Sequence, residues 1–412
     1  MTKPLKTLKQ AAHCRTLAAG ALLLAMGSAQ AQISDDVVRI GIMADLNGPY
    51  AANGGPGSNI AARMAIDDFG GNVNGKKIEL LTVDDQNKPD VGLSAARRWI
   101  DTEKVDAIVG GSASSIALGV QNLMKEKQKP YLIAGTVTDA LTGKACSPFG
   151  IQFLVDTYSL PKAGVEALLS KGIKTFYFIT VDYAFGAAYE TEATKFIQQK
   201  GAKVVGSVKH PLGTSDFSSY LLQAQASGAQ AIVILNAGED LQNALKQAKE
   251  FQIAKGGKTI SVFGMTINSV TAMGLETAQG LNITVPFYWD HDDASRTWSK
   301  RFMERNKGVV PTYIQAGVYS AVTHYLKAVK AANTDAGPAV MAKMKATPVN
   351  DFMTKYAPIR EDGQVMRTVY PVQVKTPSES KYKYDYYKIG APIAAEQVFR
   401  PLSEGGCEFV KK

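Results

Sequence analysis

From Val37 onward, short apolar runs alternate with segments of helical periodicity, and this order of elements is what most restricts the fold. Val38–Met43, Ile78–Val83, Val105–Val109 and Tyr131–Ala134 read as strands. Between them, Asn59–Phe69, a segment opening at Pro89, and Ser115–Lys127 carry apolar residues on one helical face; Ile116, Val120, Leu123 and Met124 form one such stripe. The order then restarts. Helices are expected over Ala163–Leu169, Tyr189–Gln199, Phe217–Ala226 and Asp240–Phe251. Strands are expected over Phe176–Thr180, Val204–Val208, Ile232–Leu235 and Ser261–Phe263. Continuously apolar strands separated by helices imply parallel sheets covered on both faces. The expected fold is therefore α/β, with two Rossmann-like units. Loops are short and no low-complexity linker parts the halves, so the units are expected to share crossover strands. A ligand would then sit where the carboxyl ends of the two sheets face each other.

Past a strand at Leu281–Val285, Ser295–Asn306 and Ile314–Val329 read as helices. Beyond the turn signal Glu361-Asp362-Gly363, Met366–Lys375 and Lys381–Ile389 read as strands. In the latter, Tyr382, Tyr384 and Tyr386 alternate with Lys381, Lys383 and Asp385. Before the first strand, Lys3, Lys6, Lys9 and Arg15 precede the apolar run Leu17–Met26 and the small-x-small triplet Ala29-Gln30-Ala31. That order predicts a secretory leader over 1–31, cleaved after Ala31, and its apolar run is too short to span a bilayer. The 412 residues less 31 leave 381, which suits two domains. The 46 basic residues less the leader's four leave 42 against 37 acids, a mildly basic surface without the concentrated patch that a nucleic-acid partner needs. Cys14 leaves with the leader. Cys146 and Cys407 remain, and in an oxidising compartment they point to one bridge, two separate thiols being the other reading.

Catalytic constellations are scarce. His210, His291 and His324 fall on separate elements without metal spacing; His324 reads as a buried structural residue, and His291, among Asp290, Asp292 and Asp293, as part of a solvated loop. No Gly-x-Ser-x-Gly elbow, phosphate loop or dinucleotide fingerprint is complete, and Asn53–Gly57 reads as a flexible strand-to-helix loop. No catalytic residue, metal or cofactor is expected. The polar strand exits say more. Gly110-Gly111-Ser112-Ala113-Ser114-Ser115 leaves a strand and opens a helix, whose first N–H groups lack partners and carry partial positive charge. Such a corner takes a carboxylate or phosphate; the same serines also serve as ordinary N-caps. Gly135-Thr136-Val137-Thr138 offers a second set of small donors on the neighbouring strand. In the second half, Tyr183 and Phe185, then Asn236 and Gly238, then Thr266, lie on the corresponding exits. Hinge packing is the alternative reading for Tyr183 and Phe185.

At these residues the chain resembles the periplasmic leucine/isoleucine/valine-binding protein family, the type I substrate-binding proteins of ABC transporters. The resemblance runs through Ile40-Gly41-Ile42, Asn47-Gly48-Pro49, Ala65-Ile66-Asp67-Asp68, Gly75-Lys76-Lys77-Ile78, Val109-Gly110, Ser114, Pro130, Leu141-Thr142, Asp216-Phe217, Gln247-Ala248 and Ala316–Tyr319. No single motif is specific; their order and spacing are. The resemblance implies two lobes joined by a three-strand hinge, which close on a small molecule and are recognised by an inner-membrane permease. On this pattern the lobes are expected at 32–156 plus 285–360 and at 157–284 plus 361–412. A periplasmic monomer that catalyses nothing is implied.

Carried over by position, Ser114 and the Thr136–Thr138 loop match the family's donors to a ligand carboxylate. Phe185 matches a covering aromatic, and Asn53 a cleft-lining side chain. With Ser112, Ser115, Gly135, Val137, Tyr183, Asn236, Gly238 and Thr266 these make the expected ligand site. The chain departs where amino-acid receptors of the family place an acid near Thr266: Gly264-Met265-Thr266-Ile267 has none, and a buried ammonium without a counter-charge is costly. Glu239 is the available substitute. Ala140–Pro148, Thr180–Gly186, Glu361-Asp362-Gly363 and the closing Cys407 resemble a subgroup linked to uptake of aromatic carboxylates. The expected ligand is thus a benzoate-like carboxylate without an amino group. The alternatives are an amino acid taken up by the same importer class, a receptor module reporting to a signalling partner, and a secreted enzyme.

Overall fold

The computed structural model describes residues 1–2 and 33–411; the features of the expected leader fall on residues 3–31, outside them. In the first half, β1 (Val37–Ala44), β2 (Asn72–Val73), β3 (Lys76–Asp84), β4 (Ala107–Gly110), β5 (Tyr131–Ile133) and β6 (Gly150–Gln152) alternate with helices α1 (Gly55–Asp68), α2 (Pro89–Asp101) and α3 (Ser114–Glu126). They form one sheet in the order β2-β3-β1-β4-β5-β6, parallel except for the β2–β3 edge. Helix α4 (Ser159–Ser170) leads into β7 (Thr175–Val181), α5 (Ala184–Gln199), β8 (Lys203–His210), α6 (Ser218–Ala226), β9 (Ala231–Leu235), α7 (Gly238–Glu250) and β10 (Thr259–Ser261). This second sheet, β10-β9-β7-β8, is parallel throughout. The strands are short and apolar on both faces because helices cover both: Ile108 packs with Trp99 and Ile116 on one side of the first sheet, while Ile40 and Val109 face another cluster with Ala61 and Val322.

The chain continues through α8 (Ile267–Met273), β11 (Asn282–Val285), α9 (Asp293–Arg305), α10 (Tyr313–Ala332) and α11 (Gly337–Ala346) to β12 (Tyr370–Val374) and β13 (Tyr387–Ile389). The last strands form a small third sheet with β11, in the order β11-β12-β13 and antiparallel throughout. The chain crosses between the two units near Gln152, whose neighbour across a parallel bridge is Gln364. The Gln364 side chain donates to the carbonyl of Leu154 at 3.0 Å. Among the described residues, no helix is long and apolar enough to cross a membrane.

Several boundaries differ from expectation, each for a local reason. Residues Gly55–Gly57 are the first turn of α1, with Pro56 at its start, so only part of the glycine-rich stretch is loop. The strand placed at Ser261–Phe263 lies at Thr259–Ser261; Val262 and Phe263 are buried past its end. The tyrosine–lysine alternation forms a strand only from Tyr387. Ahead of it, the buried Asp385 carboxylate accepts from the Lys381 amide at 3.0 Å and pairs with Lys375, while Tyr384 turns to φ 67°. A buried acid satisfied by its own loop wins over period-two patterning. The sequence reading omitted β2, β6, α8 and α11, which are too short or too evenly apolar to carry a period.

Cys146 and Cys407 are bonded to each other, closing a span of 261 residues. Arg400 donates to the Asp139 side chain at 2.5 Å and to its carbonyl at 2.9 Å, and Lys125 pairs with Glu408 at 2.8 Å, so the tail is tied to the first half by polar contacts as well as by the bridge.

Candidate functional site

The carboxyl ends of the two parallel sheets meet around one cavity of about 80 Å³. On the first side, β4 ends at Gly110, whose φ of 99° would set any Cβ 2.3 Å from the Met43 carbonyl. Only glycine allows this turn, which brings the start of α3 to the cavity. Ala113 caps α3 without a side-chain hydrogen bond, so the first amides of the helix keep their donors for another partner. The buried Ser114 hydroxyl lies 3.2 Å from that of Thr136, which leaves β5. Gln152 holds the Thr136 carbonyl at 3.1 Å, so the Thr136 loop is fixed to the crossover.

The second side contributes rings. Tyr183 precedes α5, and Phe185 and Tyr189 lie on it; Phe185 and Tyr189 sit 5.0 Å apart, centroid to centroid. Tyr50 reaches across from the first side, its hydroxyl 2.7 Å from that of Tyr183. Burial pushes both tyrosines above their ordinary range, so both stay protonated and the pair keeps one hydrogen to donate. Tyr313 and Ile314 close the wall from the start of α10. Their position is set by a capping box. Thr312 accepts from the Gln315 amide at 3.3 Å, and the Gln315 side chain accepts from the Thr312 amide at 3.0 Å. The same two side chains donate to the carbonyls of Asn53 and Gly54, at 2.6 and 3.1 Å.

Of the expected residues, Asn53, Ser112, Ser114, Gly135, Thr136, Val137, Tyr183, Phe185, Gly238 and Thr266 line the cavity. Ser112, Asn53 and Thr266 already hold protein partners. The Ser112 amide and hydroxyl bind Asp85, at 2.9 and 2.5 Å, and the Asn53 side chain accepts from Thr266 at 2.8 Å. Three lie outside the wall. Ser115 is half-buried on the next position of α3; Thr138 is buried at the start of a single helical turn; and the Asn236 side chain contacts His210 at 3.2 Å. Glu239 is exposed and does not reach the cavity, so it supplies no counter-charge there. His324 is buried against the Met344 carbonyl at 3.0 Å.

The wall also holds residues that sequence reading did not single out, among them Asp45, Tyr50, Leu160, Tyr189, Met265 and Tyr313. Among the described residues, Asp45 is the one acid in it, and no lysine, arginine or histidine lines it. The Asp45 carboxylate accepts from the amides of Gly48 and Tyr50, at 2.6 and 2.8 Å, and from the Asn87 side chain at 2.5 Å. It pins the 46–50 loop with both oxygens. Tyr50 follows Asn47-Gly48-Pro49, a turn signal that marks the loop but not what the next side chain touches.

Four hydrogen bonds among the described residues join the two sides across the cleft. Besides Tyr50–Tyr183 and Thr266–Asn53, the Asn268 side chain donates to the Ala52 carbonyl at 2.8 Å and the Glu239 amide to the Pro49 carbonyl at 3.2 Å. The cavity wall is therefore held together by contacts made from both halves of the chain.

A family profile described as "Periplasmic binding protein" matches residues 37–381. A periplasmic binding protein from Burkholderia mallei is 45% identical, with a TM-score of 0.89, and the match covers 91% of this chain and all of that one. A structure from Burkholderia xenovorans, described as a branched chain amino acid ABC transporter periplasmic ligand-binding protein, is 39% identical with a TM-score of 0.80, covering 90% of this chain and 99% of that one. Among curated proteins, the Leu/Ile/Val-binding protein homolog 6 of Brucella melitensis is 24% identical over 319 residues, 74% of this chain and 80% of its own length. A solute-binding protein from R. palustris, solved in complex with benzoate, shares the fold at 18% identity and a TM-score of 0.76, over 90% of this chain and 99% of that one. With paired Rossmann-like lobes enclosing a cavity at their facing strand ends, and a family match spanning most of its length, the chain belongs to the type I periplasmic binding proteins of ABC transporters.

Proposed function

We propose that this protein delivers a small carboxylate without an amino group, most fittingly a benzoate-like ring acid, to an inner-membrane ABC permease. The observation that carries the reading is the make-up of the cavity wall. One end offers the start of α3 with the Ser114 and Thr136 hydroxyls, and the body offers five aromatic rings, Tyr50, Tyr183, Phe185, Tyr189 and Tyr313. Amides and hydroxyls aimed at one point suit a carboxylate. Tilted rings, Tyr183 on Phe185 and Phe185 on Tyr189, suit a flat apolar remainder. The one acid of the wall is spent on its own loop, and no acid stands at the Thr266 position.

Binding is coupled to closure. The lobes, 32–156 with 285–360 and 157–284 with 361–412, swing about the crossovers near Gln152 and Gln364. Four hydrogen bonds join the two sides of the cleft, and a solute touching both sides adds to them only in the closed form. A ligand with such differential contact shifts the hinge equilibrium, and the closed shape is what the permease reads. The protein works as an exported monomer, freed from its leader after Ala31.

A second reading has its own observation: Asp45 does stand in the wall, and an α-ammonium beside it would favour an amino acid. A thermal-shift and calorimetric screen of benzoate, hydroxybenzoates, cinnamate, leucine, isoleucine and valine separates the two. Stabilisation by ring acids and not by amino acids is expected. Stabilisation by amino acids alone refutes the carboxylate reading. Conversion of any of these compounds refutes the binding role altogether.

A further inference from the structure

One polar atom of the cavity wall is left over. The Tyr189 ring is 2% exposed, and its hydroxyl has no hydrogen-bond partner among the described residues. No other described residue of the wall has such a buried orphan atom. The ring is fixed on α5 by Phe185 at 5.0 Å and Phe263 at 6.0 Å, so the hydroxyl has a set position. It lies at Gly264: a Cβ there would stand 3.4 Å from the Tyr189 oxygen and 3.0 Å from Leu160. Gly264 itself lines the cavity, so the backbone beside the hydroxyl is bare. A phenylalanine would fill the same space without burying an unpaired polar group, which is costly. Tyrosine makes sense at this point if its partner arrives with the solute.

We infer that the ligand carries a second, neutral oxygen group, such as a ring hydroxyl or a carbonyl, which hydrogen-bonds the Tyr189 hydroxyl while its carboxylate meets the α3 end. This rests on the carboxylate reading given above and adds the substrate class: oxygen-substituted ring acids rather than plain ones. Burial keeps the Tyr189 phenol protonated, so it can donate as well as accept. The inference also gives Tyr189 a part in closure. Ser114 and Thr136 leave strands of the first sheet, whereas Tyr189 flanks the second, so a ligand with oxygens at both ends bridges the two. A site built to hydrogen-bond a ligand oxygen rejects the analogue that lacks it.

Calorimetry with benzoate, 3-hydroxybenzoate, 4-hydroxybenzoate and 4-methylbenzoate tests this on the wild type and on Tyr189→Phe. The wild type is expected to hold at least one hydroxybenzoate about tenfold or more tighter than benzoate and 4-methylbenzoate. In Tyr189→Phe that preference falls to within about twofold. If the variant does not fold, the wild-type comparison of 4-hydroxybenzoate with 4-methylbenzoate, alike in shape, still decides. Equal affinities in the wild type, or a loss common to all four acids in the variant, overturn the role of Tyr189 and leave an ordered water as its partner. Amino-acid binding without any ring-acid binding refutes instead the reading on which the inference depends.

Discussion

Gly238 tests whether this structure is the ligand-holding form. Its φ is 62°, and an added Cβ would stand 2.3 Å from the Pro49 carbonyl oxygen and 2.7 Å from the Tyr50 ring, both on the opposite side of the cleft. Real side chains do not approach that closely, so in Gly238→Ala the Pro49 loop must retreat by roughly 1 Å, breaking a close-packed contact. Two penalties follow. Alanine in the left-handed region costs roughly 1–2 kcal/mol wherever the lobes stand. Overpacking costs roughly 1–3 kcal/mol, and only when the cleft is shut. Gly228 supplies the control: its φ is 73° and nothing lies within 4 Å of an added Cβ, so Gly228→Ala carries the backbone penalty alone. The tightest ligand of the screen, titrated into both variants by calorimetry, should bind Gly238→Ala about 5- to 150-fold more weakly than Gly228→Ala. Scattering should show the ligand-saturated Gly238→Ala chain more extended than the control. Equal affinities in the two variants, with equal radii, would refute the claim that the Pro49–Gly238 contact belongs to the liganded state.

Tyr50→Phe removes one hydroxyl of the pair that spans the cleft, and should weaken binding by roughly 2- to 13-fold, since a net hydrogen bond is worth roughly 0.5–1.5 kcal/mol. Calorimetry showing no loss would mean that the pair forms without helping closure. Cys146→Ser combined with Cys407→Ser should lower unfolding stability by roughly 2–4 kcal/mol in denaturant titration while leaving ligand affinity within about twofold, because the bridge lies outside the cavity wall. A pH scan of stability reports on Asp106, whose carboxyl burial pushes up to about 6. Its proton affinity is higher in the fold than in the unfolded chain, so this residue stabilises the fold as pH drops through about 6 and its contribution is lost as pH rises through that value. Thermal melts should therefore lose less on going from about pH 5 to about pH 7.5 in Asp106→Asn than in the wild type; an identical slope would refute the assignment.

The fold was legible because its signals are local. Ile116, Val120, Leu123 and Met124 mark one face of α3 within a few turns, and all four are buried as the stripe requires. The start of α3 was legible for the same reason, since Gly110 and Gly111 announce a turn that a side chain would block. Where a competing interaction was equally local but of another kind, the pattern misled. The alternating tyrosines at 382–386 obey a carboxylate instead of a pleat, because satisfying buried Asp385 outweighs the gain of one more strand.

The site was legible only by halves. Ser114 and Thr136 come to the cavity together because each leaves a strand on the same sheet, and parallel neighbours bring their exits together. The pairs that shut the cleft join residues 133 and 213 positions apart, Tyr50 with Tyr183 and Asn53 with Thr266, and no periodicity links them. Asn236 and Gly238 illustrate the limit. They leave one strand two residues apart, yet the first turns to His210 and the second lines the cavity. Which exit residue faces the cavity is set by how the two sides of the cleft pack, and no local pattern records that packing. A cavity walled by two sheets cannot keep its lining within one stretch of chain, so the residues that face one another across it are those that local patterns reveal least.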